Sequence, residues 1–220
     1  MRRISLVASG ALAALFMIGA SGAQAATVTV GSPLTASLAG TFGSAPSGTW
    51  ANTVLSESGA NPVSPVAGTI SHWRMTGSYS GGPFKLRVLR PTSMGSYTAV
   101  STSTPVTPIG NGPQTFTTAG LSVQAGDLIG LDITTGTNVA VGTMSGSHPV
   151  NWNPALADGA SRPPDYTNYP NAEILFNADV DYTPPSTPAT PKKKCKKKKK
   201  KHSAAAAKKK HCKKKKKKKK

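Results

Sequence analysis

The chain has 220 residues and a formal charge of +19, from 27 Lys and Arg against 8 Asp and Glu. Twenty of the cations are lysines in the last 29 positions, whereas residues 26–191 hold five cations and all eight acids, a net of −3. This excludes a basic globular domain that reads nucleic acid and, with no central run of about 18 or more apolar residues, a multi-span membrane protein.

Residues 1–25 have the three parts of a secretory signal: Arg2 and Arg3, an apolar stretch from Ile4 to Ile18, and small residues ending at Ala23-Gln24-Ala25. Cleavage after Ala25 is expected, because about 15 apolar residues fall short of the roughly 20 that a membrane-spanning helix needs. No cysteine ends the signal and the C-terminus is polylysine. Neither lipid attachment nor covalent wall sorting is therefore expected.

The 157 residues from Ala26 to Tyr182 are enough for one domain with its own core, and they read as strands punctuated by Gly and Pro. The first candidate strand is Ile70 to Thr76. In the second, Phe84, Leu86 and Val88 alternate with Lys85 and Arg87, although Leu89 breaks the outer face. Tyr97 to Ser101, Gln114 to Thr117, Leu128 to Ile133 and Val139 to Val141 follow, each bounded by Gly, Pro, Asn or Asp. Val123 to Leu128 holds a tight turn in which Asp127 serves the turn and Gly126 is free to take positive φ. In the last strand Ile174, Phe176, Ala178, Val180 and Tyr182 alternate with Glu173, Asn177, Asp179 and Asp181. One of its faces is apolar and the other acidic. No window combines helical spacing with caps. The expected fold is all-β, a two-sheet sandwich of jelly-roll or Greek-key type, with a barrel as the alternative.

Chemistry-bearing residues are sparse in this domain. No Gly-x-Ser-x-Gly string occurs, and His72 and His148 are its only histidines. Cleavage of a polysaccharide requires two carboxylates facing a groove, for which Glu57, Asp127, Asp132, Asp158, Asp165 and the strand acids are available. Asn177, Asp179 and Asp181 form either a calcium-ligating face or a solvated one, and the solvated reading is preferred. Arg74, Lys85, Arg87 and Arg90 fall on two strands expected to be neighbours. They form either a positive strip for acidic glycans or the polar side of a sheet that resists edge pairing, and the second is preferred. Residues 142–170 lack a clear strand pattern and exceed the usual loop of about 4 to 6 residues. Trp152, Tyr166 and Tyr169 in this stretch either stack on sugar rings or cap the core, and the cap is preferred.

From Thr183 to Pro191 four prolines in nine residues favour extended polyproline II, a stiff spacer of about 28 Å at about 3.1 Å per residue. Beyond it, Lys192 to Lys220 contains no acid and no aromatic residue, and a disordered tail is expected from like-charge repulsion. Lysines such as Lys196, Lys197, Lys198, Lys208, Lys213, Lys214 and Lys215 can each displace a counterion from a dense polyanion. Without arginine or aromatic rings the tail has no means of reading bases. Its expected partners are anionic envelope polymers or extracellular nucleic acid, bound without sequence preference. Cys195 and Cys212, the only cysteines, are expected to form a disulfide in an oxidising compartment, closing a loop or linking two chains. With His202 and His211 they make a Cys2His2 set whose spacing fits no common finger, and neither a metal nor another cofactor is expected.

The runs from Val63 to Arg74, Leu86 to Pro91 and Val123 to Asp132, together with the Lys, Cys, His and Ala ending, resemble a group of secreted actinobacterial proteins. The resemblance implies secretion and a sandwich domain, and no activity. The expected function is that of an exported, non-enzymatic surface or extracellular protein. Its sandwich serves adhesion or contacts carbohydrate, and its tail holds it to the envelope. The alternative is a secreted polysaccharide-acting enzyme of jelly-roll type, distinguished by a convergent acidic pair in a groove.

Overall fold

The computed structural model describes residues 24–42, 47–76, 81–110 and 112–185. The chain divides into two units, Met1–Ser186 and Thr187–Lys220, of which the second lies outside the described residues. Residues 1–23 of the expected signal segment, all but the first three residues of the expected proline spacer, and both cysteines also lie outside them.

The described residues of the first unit are all-β. Its strands are β1 (Ala26–Gly31), β2 (Ser37–Phe42), β3 (Gly48–Val54), β4 (Gly68–Met75) and β5 (Lys85–Pro91). Next come β6 (Tyr97–Thr102), β7 (Gln114–Val123), β8 (Leu128–Ile133) and β9 (Val139–Thr143). The series closes with β10 (His148–Trp152), β11 (Ser161–Arg162), β12 (Ala172–Ile174) and β13 (Phe176–Tyr182). A four-stranded sheet has the order β1-β13-β4-β7 and a six-stranded sheet the order β10-β3-β8-β5-β6-β11, while β12, β9 and β2 form a third. All pairings are antiparallel. From β3 to β8 the chain passes repeatedly between the two larger sheets, and β5–β6 is the one pair of consecutive strands joined within a sheet. That is sandwich connectivity with crossing connections, as expected for a jelly-roll or Greek-key type.

Period-two patterning fixes which side chains face inward. Phe176, Ala178 and Val180 of β13 enter the main core, where they join Ile70, Trp73 and Met75 of β4. Opposite them lie Leu86 and Val88 of β5 and Ile129, Leu131 and Ile133 of β8. The turn before β8 forms as expected, with Gly126 at φ +91° and the Asp127 carboxylate accepting the Gln124 backbone N–H at 2.8 Å.

The outer face of the six-stranded sheet is covered as well. Leu89, Ala51, Ala99, Leu128 and Val150 form a second apolar cluster with Trp152 and Leu156. Leu89 breaks the alternation of β5 because a strand covered on both faces has no solvent side to keep polar. The stretch 142–170, expected to lack strands, contains β10 and β11. β10 escapes a period-two reading because four of its five residues are buried.

Candidate functional site

The arginines do not form a strip. Arg74 lies on β4 in the four-stranded sheet and Arg87 and Arg90 on β5 in the six-stranded sheet, so the two strands are not neighbours. Each arginine is bound to an acid. Arg74 pairs with Asp179, which also accepts from Thr29 at 3.0 Å, and donates to Asn177 Oδ1 at 3.3 Å. The Arg74 guanidinium holds the Asp179 carboxyl below the usual carboxylate range. Arg87, 5% exposed, grips Asp132 through Nε at 3.0 Å and Nη2 at 2.7 Å and reaches Asp158 with Nη1. Arg90 makes a two-pronged bond to Asp127, both arms 2.8 Å. Arg162 pairs with Asp165, whose carboxylate also accepts the Asn153 backbone N–H at 2.7 Å. These contacts engage all four arginines of the domain together with Asp127, Asp132, Asp158, Asp165 and Asp179. Asn177 and Asp179 are occupied by Arg74 and Ser32, and Asp181 accepts from Thr27 at 2.7 Å.

The three aromatic residues separate into different roles. Trp152 is fully buried, its Nε1–H donating to the Arg162 carbonyl at 3.2 Å and its ring edge-on to Tyr97 with centroids 5.3 Å apart. It has no face to offer a sugar. Tyr169 is half-buried and packs against Trp50 and Phe42, with both centroid separations 5.1 Å. Tyr166 is 55% exposed and held through its backbone to Asn151. Trp152→Phe keeps an aromatic ring but removes a buried hydrogen bond and part of the packing, at an expected cost of about 1–3 kcal/mol. Urea unfolding checks this, with an unchanged midpoint as the contrary result.

A different cluster gathers at one end of the sandwich. Ser32 and Thr35 follow β1, Ser56 and Glu57 follow β3, Ser145 and Ser147 lie in the β9–β10 turn, and Glu173 is on β12. Local geometry fixes each segment. Ser32 N–H donates to the Phe176 carbonyl at 3.0 Å while the Ser32 hydroxyl accepts from Leu34 N–H at 2.9 Å, with Leu34 at φ +64°. Ser147 Oγ accepts from Ser56 N–H at 3.1 Å, which draws the β9–β10 turn to the loop after β3. Thr35 Oγ1 donates to Glu57 Oε1 at 2.9 Å.

Glu173 is fully buried, and neither of its carboxylate oxygens nor Glu57 Oε2 meets a donor in good geometry. Burial, with the Glu57 carboxylate alongside, pushes the Glu173 carboxyl up to about 7; the nearby Ser32 and Ser147 hydroxyls oppose this and do not overcome it. Sequence reasoning placed Glu173 on the acidic face of the last strand. Leu175, two residues on in the sequence, 2% exposed and packed with Ala36 and Ala140, is the sign that this face is covered near β12.

A folded-state value raised from about 4.5 to about 7 means that the folded chain holds a proton the unfolded chain has already lost. The resulting stability is fully present below about pH 4.5 and disappears as pH rises through about 7, a span on the order of 3 kcal/mol. In metal-free buffer the urea midpoint is therefore expected to fall across that window, and Glu173→Gln to flatten the fall. An equal slope in the variant would contradict the assignment.

Comparison with family models, with curated proteins and with solved structures returns no match to this chain. Among the described residues no three His, Cys, Asp or Glu side chains converge as a metal cluster, and no helix is long and apolar enough to cross a membrane.

Proposed function

We propose that this is an exported, non-enzymatic protein in which the β-sandwich serves adhesion or carbohydrate contact and the lysine tail binds anionic envelope polymers or extracellular nucleic acid. The observation that supports this most is the pairing of the domain's arginines. Arg74, Arg87, Arg90 and Arg162 each face a carboxylate, so the sandwich offers little free positive charge to a polyanion. The adhesive charge is then the twenty lysines between Lys192 and Lys220. Many weak ammonium contacts, each releasing a counterion, sum to strong and salt-sensitive retention.

For the sandwich, Tyr166 is the aromatic residue of the three that remains presented to a sugar ring. Hydrolysis gains no support from the one new acidic pair, because an enclosed Glu173 cannot meet a glycosidic oxygen. Oxidised Cys195 and Cys212 would close the tail into a loop or join two chains, which a non-reducing gel separates. The proposal predicts that deleting residues 192–220 releases the protein from envelope fractions at low salt. Equal retention of the truncated chain would overturn it.

A further inference from the structure

The Glu57–Glu173 pair lacks a positive charge. Three of its four carboxylate oxygens are buried without a hydrogen bond of good geometry, although the Ser32 and Ser147 hydroxyls lie near Glu173, and the fourth is held by Thr35. None of the five ion pairs among the described residues includes either glutamate. A buried carboxylate left in this state is strongly disfavoured, and two side by side also repel. Of the two groups Glu173 is the more demanding, being fully enclosed with neither oxygen in a well-formed hydrogen bond.

The polar groups beside the pair carry oxygen. Ser32 and Ser147, both fully buried, bring hydroxyls to Glu173. Ser56 Oγ lies 3.1 Å from Ser147 Oγ and also bonds the Ser145 carbonyl. Two carboxylates among hydroxyls and a carbonyl are hard donors. Without thiol or imidazole among them, they do not suit zinc or copper. The donors come from four separate segments, three of them outside strands, which suits an ion of variable geometry better than magnesium with its strict octahedron and firmly held water.

We propose that Glu57 and Glu173, with the hydroxyls of Ser32 and Ser147, form a calcium site that clamps β12 to the end of β1, the loop after β3 and the β9–β10 turn. Carboxylate oxygens supply the charge, hydroxyls and water complete the six to eight ligands calcium takes, and Glu57, only half-buried, provides the side from which the ion enters. Binding of the ion to the folded chain alone stabilises it by mass action.

The test is thermal unfolding of the full chain, freed of metal with a chelator and titrated with calcium chloride at neutral pH and constant ionic strength, alongside magnesium chloride and calorimetry. Calcium at a hundredfold excess over its Kd is expected to raise Tm by about 5–10 °C, with magnesium giving far less. Glu173→Gln and Glu57→Gln are expected to fold, since an amide removes the repulsion, and to lose the calcium response. Asp165→Asn, away from the cluster, should retain it. If either Gln variant fails to fold, Ser147→Ala should weaken calcium binding measured by calorimetry, and unchanged binding there would contradict the site. No calcium-induced shift and no heat for the native chain would leave a carboxyl pair sharing a proton and overturn the proposal, as would an undiminished shift in a folded Glu173→Gln variant.

Discussion

Arg87→Met is expected to lower the stability of the sandwich by about 3–5 kcal/mol, among the largest single effects available to this chain. Arg87 is 5% exposed, and its guanidinium binds Asp132 through Nε and Nη2 while Nη1 reaches Asp158, so its removal strands a buried carboxylate. The damage spreads because Asp132 also accepts from Thr49 Oγ1 at 2.6 Å, and the same hydroxyl receives the Leu156 backbone N–H at 3.3 Å. The network thus fastens the segment carrying Leu156 over the second apolar cluster. Adding Asp132→Asn removes the stranded charge while keeping an acceptor for Thr49, so the double variant should be clearly more stable than Arg87→Met alone. Urea midpoints at unchanged m-value measure both. A single-variant cost under about 1 kcal/mol would mean that water solvates the pair.

The second large effect concerns binding. If six to ten tail lysines contact phosphates, the affinity of the full chain for duplex DNA should fall by about 10³–10⁵ between roughly 50 and 200 mM salt. Ammonium groups alone cannot distinguish base sequences, so unrelated duplexes of equal length should bind alike. Filter binding or fluorescence anisotropy across a salt series checks both statements. A marked preference for one sequence, or a flat salt response, would contradict them.

The fold was more legible than the site, for physical reasons. β8 runs over Leu128–Ile133 as its composition suggested, and β13 declares itself because apolar and polar residues alternate where one face is buried. β3 gives no such signal. Five of its seven residues, Thr49 and Ala51 among them, are buried on both faces between β10 and β8, so no period survives. The arginines were visible as residues, but their partners were not, since Arg87 finds Asp132 and Asp158 across 45 and 71 positions of sequence. Glu57 and Glu173 were visible as acids. What hid their meeting is that they lie far apart in sequence, on segments joined where the Asn52 side chain of β3 bonds the Ile174 backbone of β12. Leu175 was the available clue: an apolar residue on the nominally acidic face marks where that face goes inside.

The most direct measurement is the slope of log K against log salt for a polyanion, taken in parallel for the full chain and for the chain lacking residues 192–220. The full chain should give a steeply negative slope, up to about −18 on duplex DNA if all twenty lysines meet phosphate, while the truncated chain binds weakly with little slope. Equal affinity and equal slope for both would place the adhesive charge in the sandwich and contradict the account.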